Sequence, residues 1–84
     1  MRVFLQHPPV GEDSPRYVQL SLQPDLFGGW ELLRESGQIG ARAQLRRELF
    51  LSQDDAHHAF EKARDAQLKR GFQIMSTRGS DAPY

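Results

Sequence analysis

The sequence predicts an α+β fold: a small antiparallel sheet of four to five strands with one helix, from the C-terminal half, packed across one face. Two patterns carry that expectation. Apolar and polar residues alternate through Tyr17–Leu22 and again from Trp30, the period of half-buried strands. From Ser52 the spacing becomes helical, with Ala56, Ala59, Phe60 and Ala63 on one stripe and a basic pair before Gly71 at the far end. Eighty-four residues with no cysteine allow one small domain without disulfides or thiolate metal sites.

Taken in order, Arg2–Gln6 holds β-favouring Val3 and Phe4 before His7-Pro8-Pro9, and reads as a short edge strand because two prolines cannot continue a ladder. Residues 8–15 carry three prolines, Gly11 and no apolar period, the chemistry of a flexible loop. Tyr17–Leu22 puts Val18, Leu20 and Leu22 on one face. Pro24, Asp25 and Gly28-Gly29 then form a turn, and Trp30–Glu35 returns as the second arm of a hairpin with Trp30 and Leu32 facing the core. Ser36-Gly37-Gln38-Ile39-Gly40 reads as a second reversal. Ala43–Leu51 is a third long strand whose core face would be Leu45, Leu49 and Leu51, with Arg47 interrupting it near an edge or covering it with its stem.

Ser52 with Asp55 three residues on forms a capping box, Asp54 and Asp55 suit the positive end of the helix dipole, and Leu51 with Ala56 fits a hydrophobic staple. The apolar stripe continues to Ala66 or Gln67, and Gly71 falls at the C′ position after Lys69-Arg70. Phe72–Met75 reads as a last strand. The expected organisation is one domain over residues 1–76 and a polar tail over 77–84.

Eleven basic and eleven acidic side chains cancel, so only a local patch can favour a charged partner. No apolar run reaches the ~18 residues of a membrane span, and the N-terminal stretch stops too soon for a signal peptide; with no cysteine, the expectation is a cytoplasmic protein. His57-His58 are adjacent rather than four apart, so they do not share a helix face as a metal pair would. Asp54, Asp55, Glu61 and Asp65 suit a cap and a solvated helix face, and no acid, base and nucleophile converge. The sequence therefore points to no catalytic residue, no metal and no cofactor.

The pair Gly37 and Gly40 lets backbone approach a phosphate, or simply makes a tight β-turn. Arg34, Arg42, Arg46 and Arg47 lie around it with Gln38 and Gln44. Guanidiniums there suit phosphate recognition, while the interleaved Glu31, Glu35 and Glu48 also suit a salt-bridged surface. Lys69, Arg70 and Arg64 form a second basic cluster that the helix C-terminus explains.

Arg16–Leu22, Leu26–Glu35 with its Gly28-Gly29-Trp30, and Gly37-Gln38-Ile39-Gly40 together resemble a WGR domain. Phe50-Leu51-Ser52 before the alanine-rich helix, and Lys69-Arg70-Gly71-Phe72 after it, are similar to that family's closing pattern. The resemblance covers about residues 16–75, and the opening Met1–Gln6 is similar to small stand-alone bacterial members. It implies an antiparallel sheet with one helix across a face. In poly(ADP-ribose) polymerases such domains bind DNA near strand ends and contact neighbouring domains, with the signature Trp packing on the nucleic acid and the Arg on its backbone. The three signature positions here are Ser36, Gly37 and Gln38, so ring and cation are both replaced. The resulting expectation is a non-enzymatic module binding DNA or another nucleic acid through Arg34, Gln38, Arg42 and Arg46. The alternative is a protein-protein interaction module that uses the sheet edge or the charged face.

Overall fold

A computed structural model describes residues 1–9 and 11–78. Five strands form one antiparallel sheet: β1 (Arg2–His7), β2 (Arg16–Pro24), β3 (Trp30–Gln38), β4 (Gln44–Phe50) and β5 (Gln73–Arg78), in the order β4-β3-β2-β1-β5. One helix, α1 (Gln53–Lys69), lies against β2, β3, β4 and β5. This is the expected α+β architecture at its five-strand limit.

The β2–β3 hairpin forms where the alternation and the glycine pair predict it. Asp25 Oδ1 accepts the backbone N–H groups of Phe27 and Gly29, both at 2.8 Å, so one carboxylate closes the turn. Val18, Leu20, Leu22 and Leu32 are buried. They meet Val3 and Leu5 from β1, Phe72, and Ala56, Phe60 and Ala63 of α1, and Trp30 packs at the margin. Alanines on the helix stripe bring it close to the sheet, leaving Phe60 as its one large anchor. Burying a side chain such as Leu20 contributes about 1.5–3 kcal/mol.

Ser52 caps α1, its Oγ accepting the Asp55 N–H at 3.4 Å. At the other end Gly71, with φ +95°, takes the left-handed C′ position. The staple does not form, because Leu51 is 98% exposed. Of the two candidates for the end of the apolar stripe, Gln67 is half-buried and Ala66 exposed.

Four other expectations are corrected. β1 is an inner strand: β5 pairs along its outer side, and a strand's own sequence says little about what lies beyond it. β3 continues through Ser36, Gly37 and Gln38, opposite Val18, Tyr17 and Arg16, so the reversal comes only after Gln38. On β4 the core face is the other one. Leu32 stands opposite Glu48 and Trp30 opposite Phe50, so even-numbered β4 residues face the helix and Leu45 and Leu49 lie on the uncovered side, each 66% exposed. Thr77 and Arg78, expected in the tail, belong to β5. Of the segments expected to be loop and tail, Val10 and residues 79–84 lie outside the described residues.

Candidate functional site

The sheet face that carries α1 divides into two halves. Toward the β2–β3 turn it is apolar and covered; toward the β3–β4 turn it becomes polar and open. Ladder register dictates the change. Leu20 stands opposite Arg34, and Arg34 opposite Arg46; Val18 stands opposite Ser36, and Ser36 opposite Gln44. Arg16 faces Gln38 at the end of the hairpin. All these positions share the helix-bearing face because paired residues project to the same side.

Together with Arg42 of the turn and Gln67, Arg70 and Phe72 at the end of α1, they line a concavity of about 570 Å³. Five guanidiniums, those of Arg16, Arg34, Arg42, Arg46 and Arg70, border it, and among the described residues no carboxylate does. Arg34, Gln38, Arg42 and Arg46, singled out from the sequence, are thus brought together. Arg16 and Arg70 join them without having been anticipated there. A smaller hollow of about 240 Å³ continues from Arg16, Gln38 and Arg70 to Pro8, Pro9 and Asp13 of the 8–15 loop.

The arginines differ in how they are held. Arg34 Nη2 lies 3.5 Å from Glu48 Oε1, while its Nε is buried with no hydrogen-bond partner. Leaving such a donor unmet costs about 1–3 kcal/mol. Arg16, Arg42 and Arg46 have no ion-pair partner among the described residues. Arg70 leans on Gln67 Oε1 at 3.5 Å and stands 5.9 Å from the Phe72 ring centre. The last helix carbonyls are already used, those of Ala66, Gln67 and Leu68 accepting N–H groups from Arg70, Gly71 and Phe72, so the Arg70 side chain is left for the groove. Arg47 is elsewhere, on the uncovered face, 3.5 Å from Glu31 Oε1.

Gly37 explains the width of the groove at its turn end. A Cβ on it would stand 3.2 Å from the Arg42 carbonyl oxygen and 3.3 Å from Ala43 Cα, so its bareness lets the returning chain pass close and set Arg42 at the rim. Gly40, with φ +84°, supplies the reversal itself. The two glycines therefore act separately, one in a strand and one in a turn.

Guanidinium forks converging here, of which only that of Arg34 is paired with a carboxylate among the described residues, suit phosphate oxygens. Attraction here comes from side chains and not from a helix N-terminus, since the helix presents its C-terminal end. No aromatic stacking platform accompanies them among the described residues. Phe72 is buried, and Tyr17 turns to the opposite face, where its ring stacks on Phe4 at 5.8 Å and its hydroxyl donates to Glu35 Oε2 at 2.7 Å. That bond, with burial and the carboxylate's charge adding to it, raises the Tyr17 phenol above its ordinary pKa.

His57 and His58 stand apart from this site, whereas His7 lines the smaller hollow and packs edge-on to Phe72. His57 packs edge-on to Trp30, with ring centres 6.3 Å apart, and His58 is exposed. Among the described residues no three His, Asp or Glu side chains are grouped to hold a metal, and no helix is long and apolar enough to cross a membrane.

Comparison with known proteins places the chain. It is 31% identical over 71 residues to the uncharacterized protein y4dW of Sinorhizobium fredii (strain NBRC 101917 / NGR234), a similarity covering 84% of this chain and 35% of that protein. The chain thus spans about a third of the length of the curated relative it matches. No solved structure matches. The family model for the WGR domain, a binding module of the nucleic-acid-binding type, matches residues 1–78. With that match running through all five strands and the helix, the chain belongs to the WGR domain family.

Proposed function

We propose that this WGR domain is a non-enzymatic module that binds nucleic acid, DNA in the first instance, by its phosphate backbone. The contacts are Arg34, Gln38, Arg42 and Arg46, extended by Arg16 and Arg70. One observation carries the reading: five guanidiniums border a single concavity with no carboxylate among its described lining residues. With Ser36 and Gln38 where the family signature has Trp and Arg, affinity rests on charge and not on stacking. Binding is therefore weak in sequence preference and strong in salt dependence.

Fluorescence anisotropy with a labelled 5′-phosphorylated duplex and the matching single strand tests this. Three phosphate contacts on a duplex correspond to about a 40-fold loss of affinity between 50 and 200 mM salt. Reversing Arg42 and Arg46 together to Glu abolishes binding. No binding at low salt, or binding indifferent to salt and to that double reversal, overturns the reading.

A second reading, a protein-interaction module, is favoured by the other end of the sheet. Leu26, Phe27 and Leu51 are 94–98% exposed there, and Gly29 brings the β2–β3 turn against the Phe50 carbonyl. A partner docked on those side chains binds with little salt dependence, which separates the two readings in one titration.

A further inference from the structure

β4 is a terminal strand of the sheet, and Gln44–Leu49 are exposed along it. Among the described residues no strand pairs along its outer backbone edge, a position that proteins commonly protect with charge. Here the charges are arranged differently. A second copy can add antiparallel to this edge about a two-fold axis perpendicular to the sheet, the geometry of a closed isologous dimer. Such an axis keeps like faces together, so even-numbered residues meet even-numbered ones and odd meet odd.

Charge complementarity selects one register. With the axis at Arg47, Arg46 stands opposite Glu48 of the second copy on the helix-bearing face, and symmetry repeats the pair. On the other face Leu45 meets Leu49 of the second copy, again twice, covering two side chains that are each 66% exposed in the single chain. Moving the axis to Arg46 or to Glu48 sets that charge against itself and a leucine against Arg47. Arg47 does meet its own copy at the axis, but each Arg47 is 3.5 Å from Glu31 Oε1 of its own chain, which offsets the like charge. We propose that the protein forms a two-fold homodimer by antiparallel β4-to-β4 pairing centred on Arg47, giving a continuous ten-stranded sheet with both helices on one face.

The test uses the whole chain without nucleic acid. Sedimentation equilibrium should show a mass rising from 9.6 kDa toward twice that value with concentration. Glu48→Arg should return the protein to monomer, and Arg46→Glu with Glu48→Arg should restore the dimer; circular dichroism checks that each variant is folded. Should Glu48→Arg not fold, Leu49→Lys, a change at an exposed side chain, should likewise give monomer. Register is read separately, because the chain has no cysteine. Arg47→Cys should oxidise to a covalent dimer, since residues directly opposite have Cβ atoms about 4.5–5.5 Å apart. Leu45→Cys should not, since four residues of offset separate the two copies by roughly 13 Å. A monomer at every concentration, a dimer that persists in both Glu48→Arg and Leu49→Lys, or cross-linking at 45 as efficient as at 47 overturns the proposal.

Discussion

Arg34 of β3 and Arg46 of β4 stand directly opposite each other on the helix-bearing face, and Glu48, two residues along, reaches only Arg34. Like charges in that position weaken a sheet, so the pair is a cost to folding that a bound anion would relieve. Arg46→Thr keeps a polar, β-favouring residue and removes the conflict. Its expected effect in the single chain, measured at concentrations too low for dimer formation, is a gain of about 0.2–1 kcal/mol, or a rise in Tm of about 1–8 °C, together with weaker DNA binding. Thermal unfolding and anisotropy on the same preparation check the two opposite signs. A variant that loses both stability and binding would mean Arg46 is held by the fold and not reserved for a ligand.

The groove and the uncovered face make different predictions for arginines close in sequence. Arg16→Ala and Arg70→Ala, though far from the glycines in the chain, should each weaken DNA binding and lower the slope of log affinity against log salt by about one. Arg47→Ala, next to Arg46 but on the other face and paired with Glu31, should leave both nearly unchanged. Equal losses at all three positions would mean that diffuse surface charge, and not the concavity, attracts the nucleic acid.

Gly37 offers a steric test. Its Cβ position already lies 3.2 Å from one backbone atom and 3.3 Å from another on the returning chain. Gly37→Val must push Ala43 and the Arg42 carbonyl outward, at a cost of about 1–3 kcal/mol. Denaturant unfolding should record the loss, and binding should fall as Arg42 leaves the rim. Gly40→Val probes a positive φ with open space around it, so its damage should come from backbone strain alone.

How much of this was legible in the sequence depended on the range of the interaction. Alternation in Tyr17–Leu22, the Asp25–Gly29 turn, the Ser52 cap and Gly71 are local, and each element stands where its residues place it. The face of β4 was not local. Leu45 and Leu49 have core spacing, yet their direction follows from the pairing of Leu32 with Glu48, which no pattern within β4 encodes. The site divides in the same way. Arg34, Gln38, Arg42 and Arg46 surround one reversal, so their lying along one concavity follows from nearness in the chain. Arg16 was recoverable by counting outward from the hairpin turn to its partner Gln38. Arg70 was not, because its place depends on where the end of α1 crosses the sheet.

Tyr17 gives a pH-dependent prediction away from the groove. In the folded chain its hydroxyl donates to Glu35 Oε2 at 2.7 Å, and this bond is the main reason its pKa lies above 10.0, with burial and the nearby negative charge acting the same way. Ionising the phenol removes the donated proton and sets a phenolate against a carboxylate, so the native state favours the neutral form more than the unfolded chain does. The contribution to stability is therefore fully present below the unfolded value near 10 and is lost as pH rises through the higher folded value. Unfolding free energy should decline over that alkaline window in the unaltered protein and more shallowly in Glu35→Gln. With Tyr84→Phe removing the other tyrosine, phenolate absorbance should report a titration above 10.0 that moves down when Glu35 is replaced. An unchanged midpoint in Glu35→Ala, which removes the acceptor altogether, would assign the shift to burial against Phe4 instead of to the hydrogen bond.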